Sequence, residues 1–72
     1  MKIEELMKYY NPLVLIDVMF KDKCIGTSTS INIAKIYAKS TIDRLDVVHT
    51  TSGVGRFTVW LNEAYQYGEK IT

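Results

Sequence analysis

The chain has 72 residues, 47% of them hydrophobic and 24% charged, with a formal net charge of +1. That length allows one domain, and the composition is too apolar and too aromatic for a disordered chain. Near-neutrality removes the overall electrostatic footprint of a nucleic-acid binder, and no apolar run approaches the ~18 residues of a membrane span.

In chain order, KIEELMKYY predicts a helix. Ile3, Leu6, Met7 and Tyr10 fall on one stripe, Glu4 and Lys8 make an i,i+4 pair, and Asn11-Pro12 ends the run. LVLIDVMF, residues 13–20, is the strongest strand. Val14, Ile16, Val18 and Phe20 form one apolar face; Leu13, Leu15, Asp17 and Met19 form the other, which Asp17 opens to water. KDK is a polar hairpin connection and CIGTSTS the return strand, in which Gly26 signals a bulge or a close backbone approach.

Ser30 is a candidate cap for INIAKIYAKS. That segment reads as a short helix on Ile33, Ile36 and Tyr37, although Ile31 and Ile33 also fit strand alternation. LDVVHTTSGVGRFTVWL reads as a second hairpin about a Ser-Gly-Val-Gly turn. In its second arm Phe57, Val59 and Leu61 share one face, and Thr58 and Trp60 share the other. EAYQYGEKIT, residues 63–72, is left as a tail. The expected architecture is a single α+β domain: a small antiparallel sheet of about four strands in two hairpins, with an N-terminal helix and a second short helix on one face.

HTTSGVGRF, residues 49–57, is the stretch with the most chemistry. Successive N–H groups of a glycine turn can cradle an anion, Thr50, Thr51 and Ser52 offer hydroxyls, and Arg56 offers a fork for phosphate. A phosphate loop needs Lys then Ser or Thr between a strand and a helix, and a dinucleotide loop needs a third Gly. Here Arg56 is followed by Phe57 and a strand, so the segment reads first as a turn. Thr51, Ser52, Gly53, Gly55 and Arg56 remain the ligand set of an alternative, nucleotide-binding reading. His49 has no local nucleophile or orienting carboxylate, since Asp46 points to the opposite face. The single Cys24 excludes an internal disulfide and is expected as a small buried hydrophobe. With one His it leaves too few ligands for zinc. No cofactor, metal or enzymatic activity is expected, and the absence of a signal-peptide pattern points to a cytoplasmic location.

Eight aromatic residues exceed what so small a core needs. Tyr9, Trp60, Tyr65 and Tyr67 fall off the apolar stripes, as in partner-binding patches; a minicore formed by the tail is the competing explanation. A chain this short has little stability margin, and a homodimer is a common remedy.

The order MKIEELMKYYNP, LVLIDVMF, a polar turn with Gly26, IYAKSTIDRLDVV and a closing RFTVWL resembles small uncharacterised accessory proteins of phages and prophages of Gram-positive bacteria. The resemblance covers about residues 1 to 62 and fixes no site residue. It implies a non-enzymatic protein that binds a host protein stoichiometrically, as some inhibitors of host defence do. Sequestration of a nucleotide signal by a homo-oligomer, or a structural place in a phage assembly, are the alternatives.

Overall fold

The computed structural model describes residues 1–9, 11–48 and 56–71. Among them are two α-helices and five strands: α1 (Ile3–Leu6), β1 (Leu15–Phe20), β2 (Lys23–Thr29), α2 (Ser30–Ile36), β3 (Thr41–Val48), β4 (Arg56–Gln66) and β5 (Glu69–Ile71). The class is α+β, as expected. The sheet, however, is mixed rather than antiparallel. Its order is β2-β1-β4-β3, β1 and β4 run parallel at the centre, and β5 pairs with the far end of β4. The reason lies in strand composition. LIDVMF and RFTVWL are the most apolar strands and take the two inner positions, while the polar KCIGTST and TIDRLDVV take the edges, where water can reach them.

Ile16 and Val18 of β1 and Val59 and Leu61 of β4 are buried against Ile3 and Met7 from the N-terminal segment and Ile33 and Tyr37 from α2 and its end. The first helix is shorter than its stripe suggested: after Leu6 the chain tightens into a 3-10 turn, Met7–Tyr9. Ile3 and Met7 still reach the core, and Glu4 pairs with Lys39 at 3.7 Å rather than with Lys8. The strand predicted from Leu13 begins at Leu15. The Asn11 side-chain oxygen accepts the Leu13 N–H (2.9 Å), and the Asn11 carbonyl accepts the Val14 N–H (3.1 Å). This turn leaves Leu13 exposed.

Residues 30–36 are helical, which settles the helix-or-strand alternative there. Ser30 is its first residue rather than its cap. The Ser30 hydroxyl donates to the Asn11 carbonyl (2.7 Å) and its N–H to the Val14 carbonyl (2.8 Å), tying the helix start to the strand entry. The Lys21-Asp22 connection has positive φ at both residues, 51° and 63°, the two-residue turn whose twist suits a hairpin. Tyr67-Gly68 repeats that geometry, with φ of 52° and 83°. The expected tail is therefore strand: residues 63–66 continue β4, and Glu69–Ile71 fold back on it as β5. The turn expected at residues 49–55 lies outside the described residues.

Candidate functional site

Both helices lie on one face of the sheet, so its other face is open among the described residues. Register defines it. Val18 pairs with Gly26 on one side and Val59 on the other, and Val59 pairs with Leu45. These four residues form a cross-strand row turned toward the helices. By strand alternation the neighbouring rows turn away. One is Cys24, Met19, Trp60 and Arg44; the other is Thr27, Asp17, Thr58 and Asp46. Leu15 and Arg56 follow in the next row.

Asp17 is the polar centre of this face. Arg56 grips it with two bonds, Nε to Oδ2 at 2.7 Å and Nη2 to Oδ1 at 2.8 Å, and the Thr27 hydroxyl donates to Oδ1 at 2.6 Å. The three residues stitch β4, β1 and β2 together across the open face. Such a fork is stronger than a single-contact ion pair, and the Asp17 side chain is only 16% exposed. The Arg56 hydrogen bonds hold the Asp17 carboxyl below its usual value of 3.8; burial opposes this in part, and the Thr27 bond adds to it. Because the folded value is depressed, this contribution to stability is complete above the unfolded pKa of about 4 and fades as pH falls through the lower folded value. Thermal melts between pH 7 and pH 2 should show the native protein losing more stability on acidification than Asp17→Asn. Parallel losses in the two would mean that the fork contributes nothing to folding.

Trp60 is the aromatic element of the face. The Arg44 guanidinium stacks on its ring, 4.1 Å from the centroid, a geometry that fixes both side chains. Among the described residues the Arg44 side chain makes no hydrogen bond or ion pair; its contact is the Trp60 ring. The four predicted partner-binding aromatics lie on β4 (Trp60 and Tyr65), in the 3-10 turn (Tyr9) and in the last turn (Tyr67). Trp60 is on the open face. Tyr65 lies on the strand side opposite the buried Ala64 and is half-buried, with Lys70 as its cross-strand partner. Tyr9 is highly exposed at the end of the helical layer. Tyr67 is exposed in the last turn, its N–H bonded to the Ile36 carbonyl at 2.8 Å.

Of the alternative ligand set, Thr51, Ser52, Gly53 and Gly55 lie outside the described residues, as does His49. Arg56 is described, and its charge is already matched by the Asp17 carboxylate. Cys24 corrects a prediction: it is exposed, not buried, because it sits on the edge strand on the open side, its Sγ 3.6 Å from the Gly26 carbonyl oxygen and 3.7 Å from the Thr27 hydroxyl. Arg44 and Thr27 were not singled out from the sequence, and Asp46 was weighed only as a carboxylate for His49. Alternation with Trp60 and Thr58 marks the face on β4 alone, and only the cross-strand register adds the rest.

Among the described residues no buried side-chain nitrogen or oxygen lacks a partner, no group of three or more His, Cys, Asp or Glu is placed to hold a metal ion, and no helix is long and apolar enough to cross a membrane. The open face carries one stacked Trp–Arg pair beside one forked Asp–Arg pair. No protein-family model, curated protein or solved structure matches this chain.

Proposed function

We propose that the protein is a non-enzymatic binding module that acts by stoichiometric contact with another protein through the open face of its sheet. The observation that carries this reading is Trp60 with Arg44 stacked on it, at the centre of a sheet face that no helix among the described residues covers. Trp and Arg are the residue types most often found as interface anchors, and here each orders the other before any partner arrives. Charge supports a protein partner over nucleic acid: the face carries Arg44 and Arg56 against Asp17 and Asp46, which leaves no excess of positive charge for phosphates. The resemblance to phage accessory proteins supports a host protein as that partner and inhibition of a host defence as one outcome of its capture.

Trp60→Ala tests the reading. Immobilised native protein should retain a partner from a bacterial lysate, and Trp60→Ala should lose it, as expected for an anchor contributing about 2 kcal/mol or more. Tyr9→Ala, in the helical layer, should retain it. Equal capture by native protein and Trp60→Ala would place binding elsewhere.

A further inference from the structure

We infer that the open face is also self-complementary, and that two copies of this chain pack it face to face about a two-fold axis that runs parallel to the Gly26–Val18–Val59–Leu45 row, on the open side between the two sheets. The inference rests on the reading of this face as a binding surface and names a second copy as an occupant. Its basis is the arrangement of the two rows that flank that axis. Cys24, Met19, Trp60 and Arg44 lie on one side of it, and Thr27, Asp17, Thr58 and Asp46 on the other. A half-turn about the axis lays one row over the other. Arg44 then meets Asp46 of the partner subunit, and by symmetry Asp46 meets the partner subunit's Arg44. This is the reciprocal pairing that a two-fold interface requires.

The charges favour this occupant over others. Asp17 and Arg56 neutralise each other within one copy. Arg44 and Asp46 are left, one of each sign, two residues apart on β3, and among the described residues neither makes an ion pair or side-chain hydrogen bond. A complementary surface must present the opposite signs at the spacing of two strand residues, about 6.6–7 Å. The same strand running in reverse does so. The arrangement also carries Trp60 onto Thr58 of the partner subunit and removes the indole from water. Aligned sheets packed face to face in this way are the ordinary two-layer solution.

The interface is small. Four strands at about 4.8 Å by five or six residues at about 3.3 Å give a patch roughly 19 Å by 18 Å. That is about 340 Å² on each copy and roughly 680 Å² in all, below the ~1,000 Å² total of a stable interface. The dimer is therefore weak and transient, forming between micromolar and millimolar concentrations, and a tighter partner can displace it.

Sedimentation equilibrium of the full chain across micromolar to millimolar concentrations tests this. The native protein should shift from monomer to dimer. Arg44→Asp makes the facing charges acidic and Asp46→Arg makes them basic, so each variant alone should dimerise about tenfold or more weakly. An equimolar mixture of the two should regain a dimer at native concentrations, since every facing pair is again of opposite sign. A native protein that stays monomeric, or a mixture that associates no better than either variant alone, overturns the inference. Partner capture that Trp60→Ala abolishes would survive that result, so self-association and the wider binding reading fail separately.

Discussion

Ser40→Ala is expected to be the most damaging small substitution in the chain. Ser40 is fully buried at the junction of the helical layer and the far end of the sheet. Its hydroxyl donates to the Tyr65 carbonyl at 3.0 Å and accepts the Tyr65 N–H at 2.7 Å. One side chain thus occupies the place of a neighbouring strand and satisfies both backbone groups of a residue in β4. The Ser40 backbone is equally engaged: its carbonyl accepts the Ile3 N–H at 2.9 Å, and its N–H donates to the Tyr37 carbonyl at 2.9 Å. Removing the hydroxyl leaves two polar groups unpaired at about 1–3 kcal/mol each, so the loss should be on the order of 2–4 kcal/mol, a large share of the stability of so small a domain. Denaturant unfolding measures the loss, and hydrogen exchange locates it: the Tyr65 amide should exchange markedly faster in the variant. A loss well under about 1 kcal/mol would mean that water replaces the hydroxyl at Tyr65.

Ser40 also marks the limit of what the sequence makes legible. The apolar runs announced β1, β4 and the helix-facing sides of both, because Ile16 and Val18 lie on the face of β1 that no charge interrupts, and Val59 and Leu61 share a face with Phe57. The α+β class and the one-sided placement of the helices follow from those stripes. The parallel pairing of β1 with β4 does not, since alternation fixes which side of a strand is buried but not which strand lies beside it. The end of the chain was misjudged for a related reason. Tyr67 has positive φ, which is unusual outside glycine, and so the Tyr67-Gly68 turn is weakly signalled by residue type. The Lys21-Asp22 turn is equally weak in signal, yet the long strands around it made the hairpin evident. The open face is the extreme case. Trp60, Arg44, Asp17 and Arg56 come from β4, β3, β1 and β4 again, and only the register of two pairings brings them together. Asp17 looked like an interruption in an apolar strand; it is the residue around which the exposed side of the sheet is organised.

Gly26→Ala is expected to destabilise the fold by about 1–3 kcal/mol through overpacking, although it adds a single methyl group to an edge strand. The sequence signals a bulge or a close approach at this glycine, and the structure has both. The β1–β2 register shifts between Val18 and Met19, so that Ile25 is the extra residue, and the hydroxyl end of Tyr37, from the end of α2, stands where a Cβ of Gly26 would be. A Cβ there would collide with the Tyr37 hydroxyl and come within 3.3 Å of the ring carbon that carries it. The φ of Gly26 lies outside the left-handed region, so the cost is steric rather than conformational. Tyr37 has little room to yield. It is 2% exposed, and its hydroxyl donates to the Ile25 carbonyl at 3.2 Å. Burial raises its phenol pKa, which keeps the hydroxyl a donor throughout the neutral range. A double-mutant cycle with Tyr37→Phe separates the collision from any general intolerance of the strand. Alone, Tyr37→Phe should cost about 1 kcal/mol, the lost hydrogen bond. In the Tyr37→Phe background Gly26→Ala should cost clearly less than in the native protein, because the nearest atom is gone and only the ring carbon remains close. The coupling should be favourable and of the size seen between residues in direct contact, about 0.5–3 kcal/mol. Strict additivity would show that the glycine is required for the bulge itself, independently of the tyrosine packed upon it.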